Sequence, residues 1–268
     1  MERDEIEDLV SEIRNAHGQT GPPINVFHIA REEGILLGPG NYGEEFDGRI
    51  EFHPQKNKFI LFYPGNNKNR PSTRIRFSVA HELGHYYMSE HRKLLTQGQS
   101  HYSKSGFICD NKLEREADFF AAALLIPKKI LNQFCVRKKF YTLKELVELA
   151  NTWQTSLTGA GIRYVQCTSE CCAIVLSQDC EVLFYLPSDD ADCRGFKWLG
   201  RKKVSPRSAT VEAGKNQGSA NVFEQASHTE MWFTDRRASC KLWEEAFPLG
   251  YTGLVLTILT FEIEDTDD

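Results

Sequence analysis

A chain of 268 residues with 41% hydrophobic and 26% charged content can bury a substantial core, and its length exceeds the usual single domain, so two domains are expected. A formal net charge of -5 speaks against a dedicated nucleic-acid binder, which needs a concentrated basic surface, and no apolar run approaches a membrane span. Its eight cysteines are spread over a long chain whose start, Met1-Glu2-Arg3-Asp4-Glu5, is too acidic for a signal peptide, so reduced thiols and a cytoplasmic location are expected.

Ile6, Leu9, Val10 and Ile13 recur at helical spacing and Gly18 follows as a stop, so the first helix covers residues 3–16. Pro22-Pro23 introduces a short helix over Val26 to Glu33, ended by Gly34. Residues 35–63 alternate apolar and polar positions between Gly, Asn and Pro punctuation and predict a small sheet. The edge of such a sheet could hold an extended peptide as an added strand.

Residues 75–85 then read Ile75-Arg76-Phe77-Ser78-Val79-Ala80-His81-Glu82-Leu83-Gly84-His85. On a helix, His81 and His85 lie one turn apart and can converge on one metal, while Glu82 projects beside them. Zinc hydrolysis needs these groups: imidazoles that hold the ion, and a carboxylate that takes the proton of the attacking water. The apolar and small residues Phe77, Val79, Ala80, Leu83 and Gly84 suit a buried active-site helix better than an exposed one.

Three residues compete as third ligand. His91 has the spacing of the metzincin third histidine, but that class needs glycine where Met88 stands, and Met88 favours continuing the helix, which leaves His91 solvated near its end. Glu114 is favoured: it opens a second helix, ended by Pro127, in which Ala117 and Ala121 share its face and permit close packing on the first. Asp118, one turn on, would hydrogen-bond a ligating imidazole. Glu116 points about 160° away on the helical wheel. Tyr86, Tyr87, His101 and Tyr102 are candidate oxyanion donors.

Thr142-Leu143-Lys144-Glu145 is a capping box, followed by apolar Leu146, Leu149 and Ala150, and Ser156 caps a helix through Ile162 to Val165. The pair resembles a helix-turn-helix, but Arg137, Lys138, Lys139 and Arg163 are too few and too scattered to read a major groove. Beyond residue 166, Ala173 to Leu176 and Val182 to Leu186 predict a hairpin, residues 187–230 loops with at most short strands, and Leu254 to Phe261 a further strand. The spacing of Cys167, Cys171 and Cys172 matches no zinc pattern, and Cys172 opens an apolar strand where a thiol acts as a small hydrophobe.

The segment Arg76 to His85 together with Glu114 to Pro127 resembles the ImmA/IrrE family of bacterial metallopeptidases, as do Pro23-Ile24-Asn25-Val26, Gly48-Arg49-Ile50 and Phe59-Ile60-Leu61-Phe62-Tyr63 upstream. Asp118 stands where that family often has Asn, and the stretch from Leu94 to Lys112 is long and polar. The resemblance implies a gluzincin-like zinc protease that cleaves a helix-turn-helix transcriptional repressor and so relieves repression of a stress, phage or mobile-element response. It also implies, by position and length alone, a GAF-like C-terminal domain. The expected architecture is α+β: a zincin-like metallopeptidase domain over residues 1–130, a helix-turn-helix-like connector over 131–165, and a C-terminal α+β regulatory or sensor domain over 166–268.

The expected roles are His81, His85 and Glu114 as zinc ligands and Glu82 as general base. The expected partner is a protein substrate, without nucleic acid or membrane, and the sequence carries no signal for an oligomeric state. The rival is a zinc-binding regulator that controls a repressor or antitoxin without cutting it; an intact Glu82 counts against it. A deaminase is excluded by the missing Cys-x-x-Cys partner.

Overall fold

The computed structural model describes residues 1–42, 46–65, 71–98, 111–136, 142–197, 203–234, 240–250 and 253–262. They fall into two compact units, Met1–Ile130 with Ala150–Ser156, and Leu131–Leu149 with Leu157–Asp268.

In the first unit, α1 (Arg3–Ala16) buries Ile6, Val10 and Ile13 along one face, and the Glu2 amide donates to Glu5 Oε2 at 2.8 Å at its start. Asn25 caps α2 (Val26–Glu32) by accepting from the His28 amide at 3.0 Å, and Gly34, at φ +72°, takes the left-handed turn that ends it. A three-stranded sheet follows in the order β1 (Leu36–Gly40), β3 (Lys58–Pro64), β2 (Arg49–His53), with β1 parallel and β2 antiparallel to β3. Among the described residues β2 is therefore an edge.

The long helix α3 (Ser72–Tyr87) is buried continuously from Ser78 to Tyr86, so it is an interior element and not an amphipathic surface helix. Its chief neighbour is α5 (Lys112–Leu125), whose Ala117, Phe120, Ala121 and Leu124 are fully buried. The two helices are in tight contact at Gly84, where a Cβ would stand 3.1 to 3.3 Å from atoms of the fully buried Phe120. Gly84→Ala is expected to cost ~1–3 kcal/mol in urea unfolding through overpacking of a ring that has nowhere to move, and to weaken metal binding by shifting α5 from α3. Arg76, buried on α3, donates to the carbonyls of Ile24 (2.9 Å), Gln154 (3.1 Å) and Trp153 (3.4 Å) and ties three separated segments together.

Helix α4 (Ser89–Thr96) restarts immediately after α3. Met88 does not continue the helix: it is extended, at φ -73° and ψ 120°, and buried, which turns α4 back onto the core. After α5, Pro127 is followed at once by α6 (Lys128–Val136), then α7 (Leu143–Trp153) and α8 (Leu157–Cys167). Leu143, Leu146, Leu149 and Ala150 form the buried face of α7, and the Thr142 amide donates to Glu145 Oε2 at 3.0 Å. Arg163 on α8 is fully buried; Arg137, Lys138 and Lys139 lie outside the described residues.

The second unit is built on an antiparallel sheet ordered β5 (Glu181–Pro187), β4 (Cys172–Gln178), β8 (Leu254–Phe261), β7 (Lys241–Pro248), β6 (Phe223–His228). Both faces of β4 are covered from Cys172 to Ser177, which explains its unbroken apolar run. On one face Ala173, Val175, Leu259 and Phe261 pack with Phe196, Trp232 and Phe233, the Phe196 and Phe261 rings stacking at 4.1 Å. On the other, α8 comes close enough that a Cβ on Gly161 would meet Leu256 at 3.4 Å.

Residues 187–230 are not only loops. They hold α9 (Asp189–Cys193), α10 (Ala209–Lys215) and β6. Two serines of this stretch are helix caps: Ser188 Oγ accepts from the Ala191 amide at 3.2 Å and Ser208 Oγ from the Val211 amide at 3.3 Å. Strand β7 carries two consecutive buried carboxylates. Glu244 accepts from Trp232 Nε1 (2.6 Å) and from the Ala209 amide at the start of α10 (2.8 Å). Glu245 accepts from the Leu143 amide at 3.2 Å, and burial pushes its carboxyl up to about 7.

Candidate metal centre

Because α3 presents His81 and His85 one turn apart on its buried length, their Nε2 atoms come within 3.1 Å of each other. Glu114, from the first turn of α5, completes the group: Oε2 lies 3.4 Å from His81 Nε2 and Oε1 3.4 Å from His85 Nε2. Among the described residues this is the one group of three or more His, Cys, Asp or Glu side chains whose donor atoms all lie within 4.8 Å of one another. His81, Glu82 and His85 are at most 4% exposed.

The outward nitrogens of both imidazoles are engaged. His81 Nδ1 lies 2.8 Å from Asp118 Oδ1, and His85 Nδ1 lies 3.0 Å from His91 Nδ1. With protons on those outer nitrogens, the inner Nε2 lone pairs face each other and a carboxylate. Three acceptors converging in a buried site repel one another unless a cation lies among them, so the donor set fits a metal ion. The field agrees: burial opposes a charged His81, yet Asp118, Glu114 and Glu82 outweigh it and raise its pKa to about 10.

Glu82 is fully buried next to this group and lies directly under the chain entering β2. A Cβ on Gly48 would stand 3.0 Å from Glu82 Oε1 and 3.2 Å from Ser78 Cβ, so glycine is what lets that backbone approach the carboxylate. Beside it, Arg74 on α3 donates to Asp47 at 2.6 Å and anchors the same segment.

The two alternative third ligands are placed elsewhere. His91 is not solvated: it is 2% exposed, because the break at Met88 sends α4 inward. Its Nδ1 faces His85 Nδ1, away from the donor group, and its Nε2 lies 3.0 Å from Glu116 Oε2. Glu116 also accepts from the Met1 amine at 2.5 Å; burial would raise its pKa, but the amine and His91 hold it below the usual carboxylate value. Tyr86 donates to Glu33 (3.0 Å) and the Tyr87 hydroxyl lies 3.0 Å from His17, so both are tied to the far end of α3. His101 and Tyr102 lie outside the described residues. Burial pushes the Cys171 and Cys172 thiols up to about 12, the opposite of the lowered value that an activated thiolate requires.

An interior helix with two anchored imidazoles, a carboxylate from a second helix and an adjoining buried glutamate is the donor set and base that a metallopeptidase requires. Comparison with known proteins gives the same class and adds the family. Residues 48–163 match the IrrE N-terminal-like domain, peptidase M78, and 128 residues are 27% identical to the metallopeptidase ImmA of Bacillus subtilis (strain 168), covering 48% of this chain and 67% of that protein. Over this segment the chain is similar to the ImmA/IrrE family of metallopeptidases.

Proposed function

We propose that the chain is a zinc-dependent endopeptidase that cleaves a helix-turn-helix transcriptional repressor in the cytoplasm and so relieves repression of a stress, phage or mobile-element response. The convergence of His81, His85 and Glu114 beside the buried Glu82 carries this reading. A site of two nitrogens and one carboxylate oxygen suits zinc in donor type and number. Bound there, zinc would polarise the scissile carbonyl and acidify water. Glu82 takes the attacking water's proton and delivers it to the departing amine. Asp118 fixes the His81 tautomer. The edge strand β2 would receive the substrate as an added strand, and Gly48 brings the start of that edge against the general base.

Residues 1–130 form the catalytic domain in this reading, 131–165 a helix-turn-helix-like connector, and 166–268 a regulatory or sensor domain of GAF-like type. The five-stranded antiparallel sheet with helices packed on it supports the last assignment.

The test is incubation of the zinc-loaded protein with a helix-turn-helix repressor encoded beside it. Mass spectrometry should find discrete fragments, lost on chelation. A stable complex with an uncut repressor would instead favour control by binding alone, against which a glutamate buried beside the donor group already counts.

A further inference from the structure

We propose that His91 is a positioning residue of the metal centre: together with Glu116 it sets the tautomer and the ring orientation of His85. The proposal rests on the metal reading of His81, His85 and Glu114. Between His85 and His91 the facing atoms are both Nδ1, 3.0 Å apart, so one carries the proton and the other accepts it. At the far side of the His91 ring, Nε2 lies 3.0 Å from Glu116 Oε2. A carboxylate accepts and does not donate, so the His91 proton belongs on Nε2. His91 Nδ1 is then a lone pair, it accepts from His85 Nδ1–H, and His85 Nε2 is left as a lone pair aimed at His81 and Glu114.

The opposite arrangement is self-defeating. A proton on His91 Nδ1 would force His85 to accept there and to carry its own proton on Nε2, which closes it as a ligand. Two observations show that this relay is built and not incidental. His91 and Glu116 are 2% and 7% exposed, so water cannot substitute for either. They come from separate elements, His91 on α4 meeting His85 and Glu116 on α5 meeting the far side of His91, while Asp118 serves His81 directly from α5. The two ligating imidazoles of one helix are thus oriented by different devices, a carboxylate for His81 and a histidine–carboxylate pair for His85.

Metal binding in the full chain tests this. Titration with Co²⁺ alone, read by its visible absorption, and competition for Zn²⁺ against a chromophoric chelator are compared for the wild type, His91→Leu and His91→Asn. Leucine removes the acceptor and should weaken binding about 10- to 100-fold and alter the Co²⁺ bands. Asparagine returns an acceptor oxygen near the Nδ1 position and should restore most of both. Equal affinity and identical bands for His91→Leu and the wild type would overturn the proposal and leave the metal reading intact; a wild type that takes up no metal overturns both. Should His91→Leu not fold, long-range ¹H–¹⁵N spectra of the zinc-loaded wild type decide. His91 protonated at Nε2 alone is the expected state, and a proton on His91 Nδ1 refutes the relay.

Discussion

Alanine at His81, His85 or Glu114 abolishes stoichiometric metal uptake, which elemental analysis of the purified variants should show against one divalent ion per wild-type chain. The effect should be nearly complete because the three donors lie within 4.8 Å of one another and come from only two helices. Losing one leaves two protein donors, fewer than the three that a catalytic zinc site takes. The metal-free variants should also lose the stabilisation that a bound ion gives the folded state, so chelation should lower the melting temperature of the wild type and leave theirs unchanged. Glu116→Ala separates the two carboxylates of α5: its carboxylate faces His91 and not the donor group, so its loss should weaken uptake through His85 without abolishing it. Full uptake by Glu114→Ala with loss in Glu116→Ala would remove Glu114 from the ligand set.

Glu82→Gln separates chemistry from structure. Glutamine fills the same volume against Gly48 and Ser78, so the fold and the metal should be retained. What is lost is the base: the amide cannot take a proton from water, and cleavage should fall about 10²- to 10⁴-fold, equivalent to roughly 3–5 kcal/mol of transition-state stabilisation. Equal rates for this variant and the wild type, measured with the metal content of both confirmed, would sink the assigned mechanism. The larger Glu82→Leu would not serve, because a branched side chain pressed on Gly48 could displace β2 and confound the result.

Much of the first unit was legible because its signals are local. The apolar spacing of α1, the glycine after α2, the His-Glu-x-x-His helix and the small residues of α5 each act within a turn or two of themselves. The sequence also suggested Asp118 as the partner of a ligating imidazole, and it lies 2.8 Å from His81. Three features were not legible. His91 was expected in solvent, since nothing around Met88 announces that the chain there turns extended and buries the next helix. Residues 187–230 were expected as loops with at most short strands, and the helices α9 and α10 were missed, since a serine that caps a short helix and a serine in a loop have the same local signature. Strand β7 was not anticipated, because Glu244 and Glu245 in succession interrupt its apolar pattern.

The sequence by itself determined the candidate donor set: which donor types stand one turn apart, which carboxylate adjoins them and which helix can approach closely enough to supply a third. Only the tertiary structure decided which of the buried polar groups serve the site and which serve the frame. The physical reason is that helical spacing follows from covalent geometry and a repeating backbone hydrogen bond, whereas a buried charge is tolerated only where distant residues satisfy it. Glu116 needs His91 from another helix, Glu244 needs Trp232 and the Ala209 amide, and Glu245 needs the start of α7 about a hundred residues earlier in the chain.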